Sequence, residues 1–119
     1  MAEIVVSVIV PLYNEERYIA SLLESLEKQT YPRENMEWIL VDGMSGDGTV
    51  AVIRSAMETG QYPIVLLKNE KKKTPYALNL AIGEARGRYI VRMDAHSYFY
   101  PDYIEKCVYY LEHTDADSV

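Results

Sequence analysis

The chain has 119 residues, 49% hydrophobic and 25% charged, a size that supports one hydrophobic core and a composition within the globular range. Its formal charge of -6 and pI near 4.9 argue against a nucleic-acid binder, because such proteins gather cations to neutralise phosphates. A single cysteine, Cys107, excludes an intrachain disulfide and points to a reducing, cytoplasmic compartment. No apolar stretch approaches membrane-spanning length and the start lacks a basic, cleavable leader, so the chain is expected to be soluble, with any membrane association supplied by segments outside it.

The first apolar run, residues 4–10, is rich in β-branched residues and nearly continuous, the pattern of a strand covered on both faces. It leads into Pro11, Tyr13 and Asn14, with Asn14 placed as an N-cap and Glu15 and Glu16 in the first turn of a helix spaced by Ile19, Leu22, Leu23 and Leu26. A second run, 38–41, ends on Asp42, and the loop 42–49 carries three glycines and two aspartates. Asp47 or Ser45 is expected to cap the next helix, spaced by Val50, Ile53, Ala56 and Met57 and stopped near Gly60.

The third run, 64–67, gives way to Lys71-Lys72-Lys73, then to a helix with Pro75 in its first turn, apolar spacing at Leu78, Ala81, Ile82 and Ala85, and Gly87 past its end. The fourth run, 89–93, releases Asp94-Ala95-His96. A last helix is expected from Pro101, with Ile104, Cys107, Val108 and Leu111 on one face and His113 as a cation in its last turn. Residues 116–119 read as the entry to a fifth strand, so the chain is expected to be the first part of a longer protein.

This βαβαβαβα order, with right-handed crossovers, predicts an α/β fold: a three-layer α/β/α arrangement over a mostly parallel sheet, residues 1–119 forming one domain. Ligands in such sheets bind beyond the carboxyl ends of the strands, where the four unusual loops gather.

In an extended segment Asp94 and His96 fall on the same side and converge on one divalent cation, Mn²⁺ suiting the imidazole better than Mg²⁺. The competing reading makes Asp94 a turn residue and His96 a surface one. Asp42, at a strand end beside exposed backbone N–H groups, suits a base or ribose hydroxyl. One lysine of the run, taken as Lys73, is expected to reach a diphosphate while the others are solvated. Tyr13 is placed to stack on a base. The aromatic residues Tyr98, Phe99, Tyr100, Tyr103, Tyr109 and Tyr110 fit a core, the edge of an acceptor site or an interface equally. No Gly-x-Ser-x-Gly, His-Glu-x-x-His or Cys–His pairing supports a hydrolase.

Taken together, Val6 to Glu16, Leu40 to Thr49, Ala77-Leu78-Asn79 and Ala85 to His96 resemble family 2 glycosyltransferases of the GT-A fold in order and spacing across essentially the whole chain. The Asp94-Ala95-His96-Ser97 form, with Tyr100-Pro101 after it, resembles the succinoglycan-type exopolysaccharide branch, which is bacterial. The resemblance implies Pro11, Tyr13 and Glu15 at the nucleotide, Asp42 toward the base or ribose, and Asp94 with His96 holding Mn²⁺ or Mg²⁺ on a donor diphosphate. It implies an inverting, metal-dependent transfer from a nucleoside-diphosphate sugar, a UDP-sugar favoured, to a saccharide or lipid-linked acceptor, with the catalytic base in a following half.

Two departures from the family pattern stand out: Gly43 occupies the place of a second aspartate that contacts uracil, and His96 replaces the second metal carboxylate. Two rivals are a sugar-1-phosphate nucleotidyltransferase, whose glycine- and arginine-rich first loop is missing here, and a non-catalytic domain of the same fold.

Overall fold

The computed structural model describes residues 3–119. Four strands, β1 (Val6–Leu12), β2 (Met36–Asp42), β3 (Ile64–Lys68) and β4 (Tyr89–Arg92), alternate with helices α1 (Glu16–Glu27), α2 (Thr49–Glu58), α3 (Thr74–Glu84) and α4 (Tyr103–Glu112). A 3₁₀ turn at Arg33–Asn35 leads into β2.

All strand pairs are parallel and the spatial order is β3-β2-β1-β4. From β1 the chain steps outward to β2 and β3, then crosses back over β1 to reach β4. Right-handed crossovers therefore place α1 and α2 on one face and α3 on the other. The core divides accordingly. Val6, Val8, Val10 and Leu12 pack with Ile19, Leu22, Leu26, Ile53, Ile104, Val108 and Leu111 on the first face, whereas Ile9, Ile39 and Val41 meet Ala77 and Ala81 on the other. This is the three-layer α/β/α arrangement expected from the sequence.

Several boundaries differ from the expectation. The first strand runs two residues later, because Pro11 and Leu12 stay in register with Val41 and Asp42. β3 is only half-buried, since it forms the sheet edge and its neighbours cover it incompletely. α3 buries Ala77 and Ala81 and leaves Ile82 54% exposed; small side chains let this helix lie close to the sheet, and its apolar spacing alone did not choose between two faces. Met57 is likewise exposed.

Asn14 is not the N-cap of α1, a place taken by Glu15 without a side-chain cap bond. It adopts φ 51° and uses its side chain across the loops. α4 starts at Tyr103 instead of Pro101; Pro101 lies in the preceding turn, and its carbonyl accepts from Thr30 N at 2.8 Å. Residues 117–119 do run beside β4, with Ile90 N donating to Asp117 O (3.1 Å) and Val119 N to Ile90 O (2.9 Å).

At the amino end of the sheet, β1, β2 and the α3–β4 turn are tied by one buried carboxylate. Glu37, 1% exposed, accepts from Ser7 Oγ (2.7 Å), Arg86 N (2.6 Å) and Arg86 Nε (3.1 Å), while Ser7 Oγ accepts from Gly87 N (2.8 Å). Gly87 does not end α3 directly, as that helix stops at Glu84. It is required instead by close approach, because a Cβ there would lie 2.6 Å from Ser7 N.

Burial pushes the Glu37 carboxyl up, but the bonds from Arg86 and Ser7 outweigh it and hold it below the ordinary carboxylate value. A depressed folded pKa contributes stability above the unfolded value of about 4.3, and that contribution disappears as pH falls through the lower folded value. Glu37→Ala is expected to cost about 2–3 kcal/mol in urea unfolding near neutral pH. Glu37→Gln is expected to flatten the loss of stability between about pH 5 and pH 3. Gly87→Ala is expected to cost at least about 2 kcal/mol, because the backbone of β1 must give way.

Candidate functional site

The order β3-β2-β1-β4 sets the carboxyl ends of β1 and β4 side by side, and the loops after them lead to α1 and α4 on one face while α3 covers the other, which leaves a crevice over the strand ends. A cleft of about 220 Å³ occupies this position. Pro11, Tyr13 and Glu15 line it from the end of β1, and Arg92, Asp94 and His96 from the end of β4. Gly43, Asn69, Lys72 and Thr74 close the side toward β2 and α3.

Among the described residues, three non-glycine residues take left-handed backbone conformations, Asn14 (φ 51°), Met44 (φ 69°) and Lys72 (φ 64°). Each sits on a different carboxyl-end loop. Asparagine tolerates this geometry, while methionine and lysine are held in it at some cost by their surroundings. For Lys72 the surroundings centre on Asn69, 2% exposed, whose carbonyl accepts from Lys72 N (3.2 Å), whose Oδ1 accepts from Lys71 N (3.2 Å), and whose Nδ2 donates to Lys73 O (2.9 Å). The turn brings Lys72 to the cleft and leaves Lys73, expected there from the sequence, as the exposed N-cap of α3.

The loops after β1 and β2 are joined backbone to side chain. Ser45 Oγ accepts from Asn14 N (2.8 Å) and Asn14 Oδ1 accepts from Gly46 N (2.8 Å). Thr49 Oγ1 accepts from Glu15 N (2.9 Å), Asp47 Oδ2 accepts from Glu16 N (3.2 Å), and Glu16 Oε1 accepts from Gly48 N. Asp47 also accepts from Thr49 N at the start of α2 (3.0 Å), and the Thr49 hydroxyl holds its carboxyl below the ordinary value. The capping role expected of Asp47 is present, displaced by one residue because Gly48 is the N-cap.

Asp42 is 6% exposed and does not line the cleft. Both its oxygens are engaged by Ser45, Oδ2 accepting from Ser45 N (3.0 Å) and Oδ1 from Ser45 Oγ (2.5 Å). It faces a second, outer pocket with Met44, Arg54, Met57 and Lys68. Gly43 lines the cleft where a Cβ would meet Leu12 O at 3.2 Å, so a side chain there would press on the end of β1.

Asp94 Oδ1 lies 3.3 Å from Arg92 NH2, and His96 Nδ1 lies 3.8 Å from Glu15 Oε2. Tyr18 meets the His96 ring edge-on, with centroids 6.3 Å apart. Arg92, Lys72 and Thr74 were not selected from the sequence. Residues 94–97 form a turn, with Ser97 N donating to Asp94 O (3.2 Å), and not the extended segment expected from the sequence, so Asp94 and His96 reach the cleft through that turn and not through a strand's period of two. Nothing local singles out Lys72 from its neighbours, because its choice rests on the buried Asn69. Among the described residues, no group of three His, Cys, Asp or Glu side chains stands close enough to hold a metal ion by itself.

Residues 7–119 match the protein family described as Glycosyl transferase family 2. The chain belongs to glycosyltransferase family 2. Among its relatives, the dolichyl N-acetyl-alpha-D-glucosaminyl phosphate 3-beta-D-2,3-diacetamido-2,3-dideoxy-beta-D-glucuronosyltransferase of Methanococcus voltae is 38% identical over 101 residues, covering 84% of this chain and 32% of that protein. The succinoglycan biosynthesis protein ExoA of Rhizobium meliloti is 34% identical, covering 94% of this chain and 34% of that protein. The chain thus spans about a third of the length of these relatives.

Solved glycosyltransferases share the fold. Staphylococcus aureus TarS in complex with UDP-GlcNAc superposes with a TM-score of 0.80 at 27% identity, covering 95% of this chain and 32% of that one. The mannosyltransferase PcManGT of Pyrobaculum calidifontis, in complex with GDP-Man and Mn²⁺, gives 0.75 at 35% identity over 79% of this chain and 28% of that one. The resemblance to family 2 and to the GT-A fold drawn from the sequence is therefore correct.

Removing the Thr49 hydroxyl tests the junction between the loops. Thr49→Val is expected to cost about 1–2 kcal/mol, because Glu15 N and Asp47 lose a partner together. It is also expected to speed amide hydrogen exchange at Glu15 more than at the β1 core residues.

Proposed function

We propose that this family 2 domain forms the donor site of an inverting, metal-dependent glycosyltransferase that moves a sugar from a nucleoside-diphosphate donor to a saccharide or lipid-linked acceptor at the cytoplasmic side of a membrane. The observation that carries this reading is the cleft over the carboxyl ends of β1 and β4, which gathers Asp94, His96, Arg92 and Lys72. A diphosphate is a small, doubly charged group. A carboxylate and an imidazole for a cation, with a guanidinium and an ammonium for phosphate oxygens, form a set suited to it.

The donor set fits a divalent cation on one condition. Asp94 and His96 supply two ligands and no third protein group stands ready, so the remaining positions fall to diphosphate oxygens and water, as is usual for such ions on nucleotides. When bound, the metal would withdraw charge from the departing nucleoside diphosphate.

This chain's own residues divide the remaining work. Arg92 and Lys72 offset the diphosphate charge, Tyr13, 53% exposed at the mouth, offers a flat face to the base, and Pro11 and Gly43 form a backbone floor. Asp42 acts on the donor only if Ser45 releases it. Otherwise its role is to hold the loop that carries Gly43. The solved structures named above are complexes with UDP-GlcNAc and with GDP-Man, and Gly43 in place of a second aspartate leaves the base to be decided by measurement. Acceptor activation by a carboxylate base is assigned to the whole protein, of which this domain is one part.

Calorimetric titration with UDP and with GDP, each with Mn²⁺ and then with EDTA, tests the reading. Binding of one nucleotide with Mn²⁺ is expected, falling at least tenfold on chelation and by a similar factor in Asp94→Ala. Nucleotide binding that ignores both EDTA and Asp94→Ala would sink the metal-dependent reading.

A further inference from the structure

Glu15 presents an unusual arrangement for a carboxylate. Its backbone N–H is used by Thr49, but its side-chain Oε2 is fully buried and accepts no hydrogen bond. A buried carboxylate oxygen without a donor is costly, and native proteins rarely leave one so. His96 Nδ1 lies 3.8 Å from Oε2. That separation exceeds a hydrogen bond by less than about 1 Å, and His96 is exposed enough, 64% for its side chain, to make the adjustment. Tyr18 bounds the ring on its other side.

The geometry points to Glu15 as the positioning residue for His96: its carboxylate accepts the Nδ1 proton of a neutral imidazole, which commits Nε2 as the free nitrogen and the only one able to ligate a cation. The inference rests on the metal reading of Asp94 and His96 given above and assigns Glu15 a different task from the nucleotide contact expected of it from the sequence. Among the described residues Glu15 forms no three-donor cluster with Asp94 and His96, and its buried Oε2 is directed to the imidazole instead of the cation.

The pairing resolves a difficulty raised by the histidine. Two aspartates offer four equivalent oxygens and need no orientation, whereas an imidazole offers one lone pair whose position depends on the tautomer. In water a neutral histidine favours the proton on Nε2, the wrong form here. A carboxylate partner on Nδ1 reverses that preference, fixes the ring and raises the basicity of Nε2.

The test reads the tautomer directly. In ¹⁵N-labelled chain under mildly alkaline conditions, His96 is expected to carry its proton on Nδ1. In Glu15→Ala it is expected to move largely to Nε2. His113, whose Nδ1 stands 2.7 Å from Tyr109 O, should keep the Nδ1 proton in both chains and serves as a reference for intact folding. An Nε2-protonated His96 in the parent chain, or the same tautomer in both chains, would overturn the inference.

A second arm measures Mn²⁺ affinity, in the presence of UDP and of GDP, for the parent, Glu15→Ala, His96→Asp and the double variant. Glu15→Ala is expected to weaken Mn²⁺ about tenfold with His96 present and to have no such effect in the His96→Asp background. Equal losses in both backgrounds would mean a general structural role and refute the positioning role. Absence of Mn²⁺ binding from all four chains would overturn the metal reading itself, and an Nδ1-protonated His96 in those samples would separate that failure from failure of the pairing.

Discussion

The parallel pairing of β1 with β2 on one side and β4 on the other is the constraint from which the rest follows. A strand paired on both sides by parallel neighbours must be reached by crossovers, and right-handed crossovers of opposite direction must lie on opposite faces. The carboxyl ends of β1 and β4 thereby lie side by side, and the cleft sits over them, bounded by the loops that lead to α1 and α4 on one face and by the start of α3 on the other. Val6, Val8 and Val10, each fully buried, secure β1 against α1 and α4, and Ile9 secures it against α3. The site is a consequence of strand order before it is a consequence of side chains.

Chemistry is then added at the loop ends, and the structure separates two kinds of residue there. Asn14, Ser45, Thr49, Asp47 and Glu16 spend their polar atoms on each other's backbones and fix the loops. Tyr13, Lys72, Arg92, Asp94 and His96 line the cleft, with Arg92 and Asp94 paired to each other. Asp42 belongs to the first group in this structure, with both oxygens bonded to Ser45, although its position at a strand end gave it the appearance of the second. Preorganisation of this kind lowers the ordering cost when a ligand binds, and the left-handed conformations at Asn14, Met44 and Lys72 are part of what that rigid frame sustains.

The opposite edge of the sheet shows the same economy in reverse. Glu37 is buried with Ser7 and Arg86 where no ligand is expected, and its function is to lock the turn before β4. A slip in that turn would shift Arg92, Asp94 and His96 together, since strand register carries every later residue with it. The Glu37 network therefore bears on the site from the far end of the sheet, through the position of one short strand.

Much of this was legible in the chain. Continuous β-branched runs, helical spacing and glycine-rich loops are local signals, and they determined the α/β class, the order of elements and the convergence of four loops on one edge. Asp94 and His96 were picked out by a period of two, yet they line the same cleft by way of a turn closed by Ser97 N on Asp94 O. What the sequence could not decide depended on partners distant along the chain. Which of three adjacent lysines enters the cleft is set by buried Asn69; whether Asp42 is free is set by Ser45; which face of α3 is buried is set by the close packing of Ala77 and Ala81. The role of Glu15 likewise appears only when residue 96 is folded back beside residue 15. Local periodicity is written in the sequence because it arises from backbone geometry, whereas the satisfaction of a buried polar atom is decided by tertiary structure, because its partner is brought to it only by the fold.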